Sequence, residues 1–324
     1  MERIMTIKTI EDYIREVYSC MKKLKERFPH EELIFGYRGE AKDYEKTKMM
    51  PTLFRDNNAK DISSIENRVL ESIIDNGISE QNNNLLDKTI DIQHYIAYSR
   101  LLDISFNSLV GLYFSVENEN KEFDSYVYII GIPKKYVFSP SSQYLKSNFE
   151  DILSGKGNIV EDNFKLILSS KKNERIIAQD GGFILFPGSR FHPIPNLYYE
   201  EITICKHRKK DIIKNLNVLF NINQSKIYPE KSYRKGKIDI DVNNRLLHTN
   251  YSIETEVDLF GYRLISELKC YKKCTKEDSG LKFERYKRVY RSEFKNILIK
   301  YIKDKDKKKY EEKLNQYLIQ EKFI

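Results

Sequence analysis

Two short stretches of the chain carry side chains suited to holding a charged ligand. One is Phe35-Gly36-Tyr37-Arg38-Gly39-Glu40. The other is Gln93-His94-Tyr95, continuing through Ser99-Arg100-Leu101-Leu102-Asp103-Ile104-Ser105. Each closes an apolar segment where the chain is expected to turn. A packed core gains nothing from an arginine beside a glycine, whereas an anion site gains a great deal. The planar guanidinium of Arg38 offers a fork of donors that matches a phosphate or carboxylate. Gly39 lets the backbone approach whatever Arg38 holds. The reading is a site for a phosphorylated small molecule, specifically a dinucleotide, with a structural Arg38–Glu40 pair as the alternative. Ser105 stands ahead of an expected helix start. Its hydroxyl and the free N–H groups there can receive a phosphate or a carboxamide, or it can be a plain N-cap. Asp103 can orient Arg38 or Arg100, bond a ribose hydroxyl, or form a buried ion pair inside its own motif. His94 can contact a ribose, carry a proton or be structural.

The elements that must position these residues follow from periodicity. Ile10, Tyr13, Ile14, Val17, Met21 and Leu24 share one face of a helix over 10–27, with Thr9 and Asp12 as a capping pair and Pro29 as the stop. Residues 33–37 read as a short strand delivering Arg38. A second helix is expected over 65–75, ended by Asn76-Gly77. After Ser105 a small turn, 106–108, precedes a short buried helix over 109–114. Strands are expected over 125–132, 164–168, 182–186 and 198–205, where β-branched and aromatic residues dominate. A helix over 208–220 follows. Residues 228–250 are polar, and the chain beyond is expected to be helical. There the stripe Phe283, Tyr286, Tyr290, Phe294, Ile297, Leu298 and Tyr301 reads as core or partner interface.

The chain has 324 residues, enough for one large domain or two smaller ones, and 32% of them are charged. No apolar run is long enough to cross a bilayer, and the N-terminus lacks a secretory signal, so a cytoplasmic location is expected, with no membrane partner. The four cysteines are too few and too scattered for a disulfide framework. Cys270 and Cys274 lack a second nearby pair for zinc, so no metal is expected. The net charge of +8 lies wholly in 271–324, which holds 17 Lys and Arg against 9 Asp and Glu. That stretch reads as a solvated lysine-rich surface or as a contact for nucleic acid. No Gly-x-Gly-x-x-Gly joins a strand to a helix, and there is no Walker loop, His-Glu-x-x-His or nucleophile elbow.

At these motifs the chain resembles the FRG-domain family. Tyr37-Arg38-Gly39 matches its signature, and Pro51-Thr52-Leu53-Phe54-Arg55 looks like its following element. Gln93-His94-Tyr95 through Leu102-Asp103 is similar to its long central block, with Ile96, Tyr98 and Ile104 replacing the family's Gly, Pro and Trp. Ala178-Gln179-Asp180-Gly181-Gly182-Phe183 looks like its late element. A looser resemblance, to arginine-type ADP-ribosyltransferases, places Arg38 first and Asp103-Ile104-Ser105 second. Gly111-Leu112-Tyr113-Phe114 follows, and Ile184 through Phe191 looks like the last motif. The catalytic Glu of that family has no counterpart here. Its place falls near Gly182, with Gln179 the nearest polar residue.

The pattern of elements gives an α+β fold with a mixed or antiparallel sheet, flanking helices and a helical C-terminal addition, and the resemblances, which cover about Leu33 to Phe220, imply a sheet core of the ADP-ribosyltransferase-like type. The expected organisation is an N-terminal helix in 1–30, an FRG-like domain in 31–225, a polar connector in 226–250 and a basic helical region in 251–324. The implied activity is binding of NAD as substrate, with transfer of ADP-ribose to a macromolecular acceptor or cleavage of NAD, in the setting of a toxin or antiphage effector. Arg38, His94, Asp103 and Gln179 are the catalytic candidates. Tyr37, Arg38, Gly39, Gln93, His94, Arg100 and Ser105 are the expected NAD-binding set. The alternatives are a non-catalytic nucleotide-sensing module and a nucleic-acid-binding protein.

Overall fold

The computed structural model describes residues 6–55, 62–77, 85–95, 98–118, 122–139, 142, 164–168, 174–188, 190–229, 252–274, 279–301 and 304–320. Two compact units divide the chain, Met1–Lys237 and Ile238–Ile324. The first is built on a seven-stranded mixed sheet of order β4-β5-β6-β2-β1-β3-β7. Its strands are β1 (Leu33–Glu40), β2 (Leu101–Ser105), β3 (Ser125–Pro133), β4 (Val137–Phe138), β5 (Lys165–Leu168), β6 (Gly181–Leu185) and β7 (Tyr199–Ile204). Among these strands β4 and β5 pair in parallel and the other ladders are antiparallel, and Ile7 adds an isolated parallel bridge to Ile204 of β7. The α+β reading with a mixed sheet and flanking helices therefore holds.

Helix α1 (Ile10–Arg27) forms where its apolar period placed it. Thr9 Oγ1 accepts the Asp12 N–H at 3.1 Å, and Ile10, Tyr13, Val17 and Leu24 are buried. They pack on Val127, Ile129, Ile202 and Ile204 from β3 and β7, together with α4 (Ser108–Val116) and α6 (Lys209–Phe220). The opposite face of the sheet carries Leu102, Ile104, Tyr128, Ile130 and Ile184. It is covered by the 49–54 segment and the start of α2 (Ile62–Asp75). Helices α3 (Leu85–Tyr95) and α5 (Glu174–Ala178) close a third cluster against Leu101, Ile167 and Phe183. The short helix α7 (Gln224–Ile227) follows α6.

Three local expectations are corrected. Arg38 does not end a strand: β1 runs on to Glu40, and Arg38 pairs with Tyr128 of β3. Asp103–Ser105 is likewise strand, not turn, because β2 is laddered to β6 from Leu101 to Ser105. The N-cap of α4 is Asn107, whose side chain accepts the Leu109 N–H at 3.0 Å, so Ser105 does not cap it.

The second unit contains α8 (Ile253–Cys274), α9 (Ser279–Tyr301) and α10 (Asp304–Gln320). Tyr290 and Phe294 of the expected stripe are buried with Val257, Leu264, Leu268 and Leu314, and Tyr286 packs against them. Tyr290 thus serves a helical core, and Tyr286 is half-buried against it with the two hydroxyls 3.4 Å apart. The side chains of Phe283, Ile297, Leu298 and Tyr301 lie outside the described residues.

Candidate functional site

β1 and β2 are neighbours in the middle of the sheet, yet they pair at one position, Tyr37 with Ser105. Beyond it the strands part. The backbone groups lost to the ladder must find other partners, and the opening supplies one: Arg38 Nη1 donates to the Asp103 carbonyl at 3.0 Å, spanning the gap. A cleft of about 280 Å³ opens at this split, with Arg38, Gly39 and Glu40 on one lip and Asp103, Ile104 and Ser105 on the other.

The two lips hold their groups differently. Arg38 Nε lies 3.7 Å from Glu40 Oε1, too long for a hydrogen bond, and it is buried with no hydrogen-bond partner. Glu40 Oε1 accepts the Met49 N–H at 3.0 Å, and Met49 adopts a left-handed φ of 50° in that position. Glu40 Oε2 is buried and unpartnered. Burial pushes the Glu40 carboxyl up, against the opposing pull of Arg38 and the Met49 N–H. Arg55 lies 5.8 Å from the Tyr44 ring and lines the same cleft, with its Nε held by the Met50 carbonyl at 2.9 Å. Its pKa is lowered, first by burial and then by the charge of Arg38. Two guanidiniums thus line one half-buried cleft, with the Glu40 carboxylate beside them.

The opposite lip is positioned by a relay. Ser99 Oγ donates to Gln93 Oε1 at 2.6 Å, and Gln93 Nε2 donates to Asp103 Oδ2 at 2.7 Å. Gln93 thus orients Asp103 and does not itself line the cleft. Ser105 is buried at the lip. Its Oγ donates to the Gln179 carbonyl at 2.7 Å and accepts the Asn107 N–H at 3.0 Å. Gln179 lines the cleft, but its Nε2 is committed to the Ile227 carbonyl at 3.1 Å. Tyr37 borders the cleft while its hydroxyl reaches Met21 Sδ at 3.6 Å in the core, where burial raises its pKa. His94 belongs to α3, and its side chain lies outside the described residues.

Two expected ligand contacts have other work. Arg100 is wholly buried and lies outside the cleft lining. Its Nε and Nη2 hold the Glu66 carboxylate at 2.6–3.0 Å, and Nη1 donates to the Phe186 and Gly188 carbonyls at 3.1 and 2.9 Å. Its donors are spent within the protein. Gly39 is required less by a ligand than by α4: a Cβ there would come within 2.2 Å of the Gly111 carbonyl oxygen and 2.4 Å of the Ser115 nitrogen. The glycine lets helix and strand touch backbone to backbone.

Sequence reasoning passed over the far wall. Glu117 caps the C-terminus of α4, Arg175 stands on α5, and Tyr228 follows α7. Tyr228 Oη donates to Glu117 Oε2 at 2.9 Å, and the Arg175 guanidinium lies 5.0 Å from the Tyr228 ring centroid. Desolvation raises the Glu117 carboxyl even though the residue is exposed at its edge. The Tyr228 hydroxyl and Arg175 offset part of that rise. These residues come from three separate segments with no shared motif. Arg55, by contrast, sat within a quoted motif.

The family model of the FRG domain matches residues 34–124. The chain carries an FRG domain. No curated protein and no solved structure matches the chain. The matched FRG stretch contains both lips of the split, from Arg38 to Ser105, together with Arg55 and Glu117. Arg175, Gln179 and Tyr228 lie beyond it and close the cleft from outside the matched span. Among the described residues no group of three or more His, Cys, Asp or Glu side chains is placed to hold a metal ion, and no helix is long and apolar enough to cross a membrane.

Proposed function

We propose that the FRG domain of this chain binds NAD in the β1–β2 split and transfers its ADP-ribose to a macromolecular acceptor, or to water, on a sheet of the ADP-ribosyltransferase-like type. The supporting observation is the lip formed by Arg38 and Glu40: a buried donor and a buried acceptor without hydrogen-bond partners, beside a second guanidinium from Arg55. Arg38, Arg55 and Arg175 provide cations for a pyrophosphate, and Tyr44 and Tyr228 provide rings beside it. Asp103, oriented by Gln93, is the carboxylate on the other lip.

In the reaction the bond from the ribose anomeric carbon to the nicotinamide nitrogen breaks. The acceptor oxygen or nitrogen bonds to that carbon, nicotinamide leaves and the acceptor proton is released. Positive charge builds on the sugar as the bond lengthens, so nearby carboxylates favour the transition state. Gln179 carries no charge and its amide is tied to Ile227, so Glu40 and Asp103, on the two lips, are the groups that supply the negative charge.

The test is nicotinamide release from NAD by the full chain, beside an Arg38→Gln variant of matched urea stability. Release by the parent and its loss in the variant supports transfer or hydrolysis. NAD raising the melting temperature without release assigns a nucleotide-sensing role instead. The absence of both binding and release overturns the reading.

A further inference from the structure

Glu117 and Tyr228 line the β1–β2 cleft on one side and a second cavity on the other. This second cavity measures about 540 Å³ and lies between the end of α4 and helices α6 and α7. The first, at about 280 Å³, is small for a ligand of dinucleotide size, since sites for molecules of that class typically run from ~300 to ~1,000 Å³. A dinucleotide is itself two-lobed, with a charged pyrophosphate at its waist.

We propose that the second cavity takes the adenosine half of the dinucleotide, with the pyrophosphate passing over the Glu117–Tyr228 wall beside Arg175. This rests on the NAD reading of the first cavity. Three features carry it. The cavity wall offers Tyr113 and the carboxamides of Asn217 and Gln224, which suit the neutral donor and acceptor edge of a purine, while Asn223, also on the wall, is spent capping α7. Asn217 is already oriented: its Oδ1 accepts from Asn223 Nδ2 at 2.9 Å, which leaves the amide NH₂ directed elsewhere. Lys214 adds a cation, and among the described lining residues the one carboxylate is Glu117, whose Oε2 accepts from the Tyr228 hydroxyl and whose charge is opposed by Arg175. The wall between the cavities therefore presents the Tyr228 ring and the Arg175 guanidinium to the crossing phosphates, with the Tyr228 hydroxyl held by Glu117.

The experiment is calorimetric titration of the full chain with ADP-ribose and, separately, with nicotinamide mononucleotide. Asn217→Leu and Lys214→Ala are compared with the parent. Both substitutions are at exposed positions on α6. The expected result is a loss of about tenfold in ADP-ribose affinity for Asn217→Leu, the scale of one or two hydrogen bonds, and a smaller loss for Lys214→Ala. Affinity for nicotinamide mononucleotide, which needs the first cavity alone, is unchanged in both. The proposal is overturned if both variants bind ADP-ribose as the parent does, or if the mononucleotide weakens in step. A parent that binds the mononucleotide but not ADP-ribose keeps the first cavity and refutes the second. A parent that binds neither refutes both.

Discussion

Arg100 is the residue whose assignment changed most between sequence and structure, and its removal gives the sharpest test of the fold. Arg100→Met keeps the aliphatic stem but deletes a guanidinium with three hydrogen bonds to Glu66 and two to backbone carbonyls. Both partners are buried, at 0% and 3% exposure of their side chains, so Glu66 is left as an unpaired charge in the interior. Breaking one side of such a pair costs about 3–5 kcal/mol. With a urea m-value of ~2–3 kcal/mol/M, the unfolding midpoint falls by roughly 1.5 M. Adding Glu66→Leu removes the stranded carboxylate. The double variant is then expected to recover about 2 kcal/mol, leaving mainly the carbonyls of Phe186 and Gly188 without their donor. The chain has no tryptophan, so far-UV circular dichroism follows the transition. The two units can unfold separately, and the fit is made to the transition that Arg100→Met moves. A midpoint shift under ~0.3 M, or a double variant whose cost equals the sum of the singles, would refute the reasoning. Lost NAD binding at an unchanged midpoint would return Arg100 to the ligand site.

Two further outcomes are expected. Gly39→Ala forces β1 and α4 apart at two backbone atoms and costs at least ~1–3 kcal/mol in urea unfolding; an unchanged midpoint would show that the contact yields. The Glu40 carboxyl sits above its ordinary value of 4.5 in the folded protein, so folding takes up its proton. Its contribution is full below that pH and falls as pH rises from there towards the folded value. Glu40→Gln, which keeps an acceptor for the Met49 N–H, is expected to flatten the decline in stability above pH 4.5 relative to the parent. Parallel pH–stability curves would contradict this.

The elements legible in the sequence were those with a strong local signal. Helix α1 was readable to the residue because an apolar period and a Thr9 cap coincide with a proline stop. The strands β3, β5, β6 and β7 were readable within a residue or two from their β-branched runs, whereas the two-residue β4 gave no signal. β1 was cut short and the end of β2 was read as a turn because glycines and polar side chains imitate one. Gly39 is there for α4 and Arg38 for the gap, and both causes are long-range. The same holds for Arg100, whose partner Glu66 lies 34 residues away, and for the Glu117–Tyr228 wall, joined across 111 residues. Motif reading found the lips of the cleft because they lie on contiguous chain, and it missed the wall because that is assembled by folding.

That assembly also fixes an order in time. The lips leave the ribosome well before the residues that finish the wall, and Tyr228 comes last of all those lining the first cleft. At a synthesis rate of about 5–20 residues per second, some six seconds or more separate Ser105 from Tyr228. Throughout that interval the nascent chain holds the cations of the split without the wall that encloses them. A chain that has not yet reached Tyr228 therefore has the two lips but not the enclosed cleft.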